Sequence, residues 1–224
     1  MKPSTRDFQC PSRPPPALAL RPRMQEGRKL EAATKTKRQG GLVITIAVCG
    51  SEKCDKKTYG LAESVGALIA GAGARLICGG LSGVMEAAAK GARNAGGMTI
   101  GILPGPDTRA GNKYLDLVIA TGAGFTRNLA IVSSCDGVVA IGGRFGTLSE
   151  IAYALNAKKP VALLNSWALK HNAMQEVACR QFSRPEGAIA WLVKTIRELT
   201  AGHSYGSRQP GRATARQRRA GCGG

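Results

Sequence analysis

The sequence has few aromatic and histidine side chains, and each shortage excludes a class of protein. Phe, Trp and Tyr make up only 4% of the 224 residues, so a core must be packed with Ala, Val, Ile and Leu, as in a parallel sheet covered by helices. Two histidines, His171 and His203, lie far apart, and we therefore predict no metal site. No segment approaches the roughly 18 consecutive apolar residues of a membrane span, so we predict no membrane association.

Cysteine pairs are also missing. The seven cysteines are odd in number and include no C-x-x-C motif. Cys49, Cys78 and Cys135 lie in or beside apolar runs, where a free thiol behaves as a small hydrophobic side chain. This usage favours a reducing compartment over a disulfide framework, and we expect a cytoplasmic protein.

The net charge of +18 is concentrated in the two ends of the chain. Residues 1–41 hold ten Lys and Arg against three acids, and residues 201–224 hold five against none. Runs of like charge outside a domain are typical of disordered tails, whereas a nucleic-acid-binding surface should show its basic excess within the fold. A nucleic-acid-binding module that uses the basic tails is therefore the weakest of three functional hypotheses.

The segment 1–41 is rich in Arg, Pro, Ser and Thr and shows no sustained periodicity. An organelle transit peptide is one interpretation, which Asp7, Glu26 and Glu31 weaken, because such peptides contain few acids. A disordered tail, or a chain that starts at Met24, is the interpretation we favour. We predict that residues 201–224 form a second disordered tail.

Between the tails, residues 42–200 alternate short apolar runs with amphipathic helical stretches. This pattern predicts right-handed βαβ units, hence a single α/β domain of Rossmann-like type with helices on both faces of a mostly parallel sheet of six or seven strands. The predicted strands are Leu42–Cys49, Arg75–Cys78, Met98–Leu103, Leu117–Ala120, Gly137–Ile141 and Pro160–Leu164. The helices predicted between them cover about Thr58–Ala70, Val84–Asn94, Phe125–Ser134 and Thr147–Asn156.

Three predicted strands run into glycine-containing turns that open helices. The turns are Gly79-Gly80-x-x-Gly83, Thr121-Gly122-x-Gly124 and Gly142-Gly143-x-x-Gly146-Thr147. All such turns lie at the carboxyl edge of a parallel sheet, where free helix N–H groups attract anions. We therefore predict a phosphate site centred on the last turn. The motifs of P-loop ATPases and of common dinucleotide dehydrogenases are absent.

Three stretches resemble a known family. Cys78–Ala92 (CGGLSGVMEAAAKGA), Thr121–Asn128 (TGAGFTRN) and Gly142–Ala154 (GGRFGTLSEIAYA) are similar to the LONELY GUY, or lysine-decarboxylase-like, superfamily, and most closely to its molybdenum-cofactor carrier-protein branch. The resemblance covers about residues 43–199. It implies a Rossmann-like subunit that forms a homodimer or a higher homo-oligomer, requires no cofactor, and binds a phosphorylated small molecule such as molybdenum cofactor or a nucleotide.

The enzymes of this superfamily hydrolyse the N-glycosidic bond of nucleoside 5′-monophosphates, and the resemblance assigns their catalytic arginine and glutamate to Arg127 and Glu150. Three positions depart from the enzyme pattern. Gly142 replaces a proline, Arg144 replaces a glycine, and Asn128 replaces a lysine. The carrier branch tolerates the first and third changes. Our first hypothesis is therefore a binding protein for a phosphorylated nucleotide or pterin nucleotide, and the second is a phosphoribohydrolase.

The predicted ligand-binding residues are those of the glycine turns, of the turn after the first strand, and of the helix before the fifth strand. They are Gly50, Ser51, Gly79, Gly80, Gly83, Thr121, Gly122, Arg127, Asn128, Gly142, Gly143, Arg144, Gly146 and Thr147.

Three of these assignments have structural alternatives. Thr147-x-x-Glu150 is also the pattern of a capping box, in which Glu150 only stabilises its own helix. Arg127 could pair with a carboxylate such as Asp136 instead of a ligand. Arg144 either presents a cation to a phosphate or, if its position needs a positive φ, distorts a loop built for glycine.

Overall fold

The computed structural model describes residues 43–169 and 178–203, so the predicted tail 1–41 and residues 204–224 lie outside the described part. The nucleic-acid hypothesis depends on those tails. The strands and helices are β1 Thr45–Gly50, α1 Lys56–Gly71, β2 Arg75–Cys78, α2 Val84–Asn94, β3 Thr99–Leu103, β4 Leu117–Ala120, α3 Arg127–Ser133, β5 Gly137–Ile141, α4 Phe145–Asn156, β6 Val161–Leu164, β7 Cys179–Phe182 and α5 Pro185–His203. None of these helices is long and apolar enough to cross a membrane.

All seven strands are parallel, in the order β4-β3-β2-β1-β5-β6-β7. The predicted fold class is confirmed. The pattern had not located β7 (Cys179–Phe182), because its sequence, CRQF, has two exposed polar residues between two partly buried side chains. A short polar edge strand lacks the apolar run from which strands are predicted.

Alternating side chains of the central strands build two core layers. Ile46 and Val48 of β1 pack with α1, α2 and α5, whereas Ala47 and Cys49 face the layer of α3 and α4. All four side chains are buried. A strand that is buried on both faces has a continuous apolar sequence. The apolar run Leu42–Cys49 therefore predicted β1.

The order of the strands places a crevice beside β1. After β1 the chain adds β2, β3 and β4 on one side and then returns to add β5 on the other. The connections therefore leave in opposite directions from the carboxyl ends of β1 and β5, and ligands bind at such switch points in open α/β sheets. Gly50 pairs with Ile141 in the register, which brings the turn after β1 next to the Gly142–Thr147 turn.

Candidate functional site

A cleft of about 660 Å³ opens at this switch point, within the range of about 300–1,000 Å³ that is usual for small-molecule sites. Its lining includes eight of the residues singled out from the sequence. They are Gly50, Ser51, Arg127, Asn128, Arg144, Gly146, Thr147 and Glu150.

The other predicted ligand-binding residues lie outside this lining: Gly79, Gly80, Gly83, Thr121, Gly122, Gly142 and Gly143. Two of them make packing contacts. The Gly80 carbonyl accepts the amide of Asn112 at 2.9 Å, and Gly83 precedes α2 at a position where a Cβ atom would collide with the carbonyl of Glu52. These contacts of Gly80 and Gly83 stabilise the turn after β2, and neither glycine lines the cleft.

Thr121 and Gly122 lie outside the cleft lining, although Gly124 and Phe125, which follow them in the chain, belong to it. Thr121 and Gly122 follow β4, the edge strand, which β3 and β2 separate from β1. The Thr121 hydroxyl donates to the carbonyl of Leu103 at 2.7 Å and so holds the ends of β3 and β4 together.

The glycine turn after β5 follows a path that proline could not adopt at its first position. Gly142 has φ +55° and Gly143 has φ +98°, whereas the proline ring fixes φ near −65°. The replacement of the enzymes' proline by Gly142 therefore accompanies a different backbone conformation at the mouth of the cleft.

Helix α4 begins at Phe145, two residues before Thr147, and this excludes the capping-box interpretation of Glu150. The residue at the N-cap position is Arg144, whose side chain makes no capping hydrogen bond. The first intrahelical bond of α4 runs from the Leu148 amide to the Arg144 carbonyl. The amides of Phe145, Gly146 and Thr147 precede it, so they have no carbonyl of their own helix to bond. Together with the helix dipole they favour an anion in the cleft.

Glu150 is a buried acid at the base of the cleft, with 6% of its surface exposed. Burial raises its pKa from 4.5 to about 7, although the Arg127 guanidinium and a hydrogen bond from the Cys49 thiol act in the opposite direction. The Cys49 thiol is itself buried, and burial followed by the charge of Glu150 raises its pKa well above the usual value. Glu150 therefore titrates near neutral pH, and Cys49 stays protonated.

Arg127 lies against Glu150, with 3.8 Å between Nη1 and Oε1. Nη1 also donates to the side-chain oxygen of Asn128, and Nη2 donates to the carbonyl of Gly79 at 3.4 Å. A Cβ atom at position 79 would lie 2.5 Å from Nη2, so a glycine is needed behind the guanidinium. The Nε donor is buried and has no hydrogen-bond partner among the described residues.

The alternative partner considered for Arg127, Asp136, is wrong. The Asp136 carboxylate accepts a hydrogen bond from the Thr45 amide at 2.7 Å. This contact lies at the amino ends of β1 and β5, whereas the cleft lies at their carboxyl ends. Asp136 follows α3, whereas Arg127 is its first residue, so the length of the helix separates the two side chains.

Asn128 joins α3 to the glycine turn. Its Nδ2 donates to the Ser149 hydroxyl at 3.2 Å and to the Gly146 carbonyl at 3.4 Å, while its Oδ1 accepts from Arg127. A neutral amide with these three contacts positions its neighbours, whereas the lysine of the enzyme pattern would add a cation.

Arg144 has an unstrained backbone, with φ −114° and ψ −158°. The steric interpretation of this residue required a positive φ and is therefore wrong. The side chain is exposed and lies in the lining of the cleft together with Lys53. The charged lining thus has three cations, Lys53, Arg127 and Arg144, against the two carboxyls of Glu52 and Glu150.

Several lining residues were not predicted. Glu52 and Lys53 directly follow Gly50-Ser51. Their position after β1 could have indicated that they line the cleft. Phe125 directly follows the predicted turn Thr121-Gly122-x-Gly124, at the predicted start of a helix, and no sequence signal marked it as a ligand-binding residue. Leu81, Met85 and Pro104 line the cleft from the β2 and β3 side.

Known proteins resemble this chain over the whole described domain. The solved structure of a molybdenum cofactor binding protein from the phototrophic bacterium Rippkaea orientalis is 38% identical, with a TM-score of 0.62, and the match covers 69% of this chain and 98% of that one. The molybdenum cofactor carrier protein of Chlamydomonas reinhardtii is 36% identical, also with a TM-score of 0.62, and the match covers 70% of this chain and 99% of that one. A cytokinin riboside 5′-monophosphate phosphoribohydrolase of Mycobacterium tuberculosis is 30% identical over 133 residues, which are 55% of this chain and 71% of the enzyme.

The resemblance inferred from the glycine turns is confirmed at the level of the superfamily and of the carrier branch. A family model matches residues 43–198, which are most of the chain. The protein belongs to the SLOG cluster4 family.

Proposed function

We propose that the protein binds a phosphorylated pterin or nucleotide in the switch-point cleft as a carrier, without obligatory chemistry. The observation that carries this proposal is the buried guanidinium of Arg127, which lines the cleft and keeps an unpartnered Nε donor. A buried donor without a partner costs free energy, and an anionic ligand is a suitable acceptor. The amides at the start of α4 provide further donors for a phosphate.

The residues present fit the phosphate and the size of such a ligand. Arg127 and the start of α4 would hold the phosphate, and Arg144 and Lys53 would supply positive charge at the mouth of the cleft. The similarity to proteins described as binding or carrying molybdenum cofactor supports that class of ligand.

Two departures from the enzyme pattern support a carrier over a hydrolase. The positive φ of Gly142 excludes the proline of the enzymes' turn, and Asn128 uses its amide to hold the Gly146 turn instead of presenting a cation. Both changes affect residues beside the proposed phosphate site.

A phosphoribohydrolase is the second candidate, and Glu150 is the observation that favours it. A carboxyl with a pKa of about 7 is suited to donate or accept a proton near neutral pH. The Mycobacterium tuberculosis relative is an enzyme of this type.

Incubation of the pure protein with AMP and with cytokinin ribotides distinguishes the two functions. We expect both nucleotides to remain intact by chromatography, and mass spectrometry of the freshly purified protein to find a copurifying phosphorylated pterin or nucleotide. Release of several equivalents of free base per protein molecule would replace the carrier proposal with the hydrolase.

Thr147→Val is expected to weaken binding of ribose 5-phosphate by about 1–2 kcal/mol, because one hydrogen bond to the phosphate is lost while the shape of the side chain is kept. Thr147 is 4% exposed and lies in the first turn of α4. Calorimetry measures the affinity, with Thr200→Val as a control outside the cleft. Equal affinity of the Thr147 variant and the natural protein would move the phosphate site away from α4.

Arg144→Gly is expected to weaken the same binding by about 1 kcal/mol at low salt, because an exposed cation at the mouth of the cleft is lost. Salt should reduce the difference, since exposed charges are screened. Arg109→Gly is the matched control, since Arg109 is exposed, pairs with Asp107 and lies outside the cleft. Tighter binding by the Arg144 variant at low salt would contradict the electrostatic role.

A further inference from the structure

We propose that Phe125 stacks on the planar heterocycle of the ligand, and that the apolar wall on its side of the cleft forms the ring-binding half of the site. This inference rests on the proposed function and adds to it the residues that bind the ring.

The exposure of Phe125 requires an explanation. Its surface is 88% accessible, more than that of any other large hydrophobic residue in the described ranges. Phe145 is also exposed, at 79%, but its ring packs against Trp167 with 5.8 Å between centroids. Within residues 43–169 and 178–203, Phe125 takes part in no aromatic pair. A large exposed apolar side chain at a cleft is a common sign of a binding surface.

The backbone that carries Phe125 is fixed. The Gly124 amide donates to the Pro104 carbonyl at 2.9 Å, and the Gly122 amide donates to the Gly105 carbonyl at 3.1 Å. A single 3₁₀ turn over Gly124–Thr126 then leads directly into α3. The ring is thus presented from a turn that is bound to the end of β3, so little order has to be gained when a ligand binds.

The two sides of the switch point differ in chemistry. The lining residues that follow β5 are Arg144, Gly146, Thr147 and Glu150, and they are polar or glycine. The apolar lining residues on the other side of β1, which follow β2, β3 and β4, are Leu81, Met85, Pro104 and Phe125. A ligand with its phosphate at α4 therefore has an apolar wall available for its ring on the opposite side of the cleft.

Recognition by this wall depends on the presence of a ring more than on its hydrogen-bonding edge. Stacking on an aromatic side chain tolerates different bases, because every base has a π face. We therefore expect purine and pterin phosphates to bind with similar affinity, and each to bind more tightly than ribose 5-phosphate.

The test compares AMP, GMP and ribose 5-phosphate by calorimetry with the full chain and its Phe125→Ala and Phe125→Trp variants. The alanine variant should lose about tenfold in affinity for AMP and GMP, the effect of removing one stacking platform, while its affinity for ribose 5-phosphate should change by less than about twofold. The tryptophan variant should bind both nucleotides at least as tightly as the natural chain. Chromatography after each titration checks that the nucleotide is intact.

Tyr153→Ala is the matched control, because Tyr153 is a partly exposed aromatic residue of α4 outside the cleft lining, and its nucleotide affinity should not change. Sedimentation is measured for every variant. If Phe125→Ala binds AMP as tightly as the natural chain does, or if it changes the molecular mass, the ring site is overturned. In the second case Phe125 is a contact between copies. If no chain binds ribose 5-phosphate or either nucleotide, and no phosphorylated pterin copurifies with the natural chain, the proposed function itself fails.

Discussion

Arg127→Met is expected to lower the free energy of unfolding by about 2–3 kcal/mol at pH 8. Without its counterion the buried Glu150 must take up a proton, which costs about 1.4 kcal/mol for each pH unit above its pKa of about 7, and the hydrogen bonds of the guanidinium are lost as well. Arg127 and Glu150 are both less than 10% exposed, and their charged groups are 3.8 Å apart. The Gly79 carbonyl and the Asn128 side chain lose donors as well. Urea unfolding at fixed temperature measures the difference.

The loss should be smaller at pH 5 than at pH 8. Glu150 has a pKa of about 7 in the folded protein, so at pH 5 it is protonated and needs no counterion. Arg144→Met is the control, because it removes an exposed arginine from the same cleft and should change stability by less than about 0.5 kcal/mol. An equal loss for Arg127→Met at both pH values would show that the guanidinium stabilises the fold through its neutral contacts alone.

The framework of the fold could be predicted from the sequence because it depends on local patterns. Apolar runs bounded by glycine placed β2 and β5 at the residues that the structure gives them, and the alanine-rich helix α2 likewise. Strand β7 (Cys179–Phe182) could not be found in this way, because its pairing with β6 supplies the order that its own residues do not. The start of α4 was placed two residues late, because Phe145-Gly146 shows none of the usual signals of a helix start.

The candidate site could be predicted only in part, because it depends on the order of the strands. The sequence indicates that every glycine turn lies at the carboxyl edge, but not which residues of a turn reach the cleft. Thr121 bonds to the end of β3, whereas Phe125 of the same connection lines the cleft. The pairing of Arg127 with Glu150 also depends on tertiary structure and could not be predicted from the sequence. The two residues belong to different helices, α3 and α4, which pack side by side on one face of the sheet, whereas Asp136 is closer in sequence and points elsewhere.

Glu150→Gln should have the opposite effect on stability to Arg127→Met, and the sign follows from proton binding. The folded protein holds the Glu150 proton up to a pKa of about 7, while the unfolded chain releases it near 4.5. The contribution of protonated Glu150 to the free energy of unfolding is therefore fully present below pH 4.5 and is lost as the pH rises through 7. Glutamine keeps the neutral shape and does not titrate.

We therefore expect the Glu150→Gln variant to match the natural protein at pH 4.5 and to be more stable at pH 8, by up to about 3 kcal/mol for a shift of this size. Urea unfolding across this pH range measures the difference, and every other titrating group is common to both chains. Glu63→Gln is the control, since Glu63 forms a partly exposed ion pair with Lys90 at 3.0 Å and should change stability by less than about 1 kcal/mol throughout. If Glu150→Gln were less stable than the natural protein at pH 8, the ion pair with Arg127 would outweigh the burial of the carboxylate, and Glu150 would be ionised throughout the physiological range.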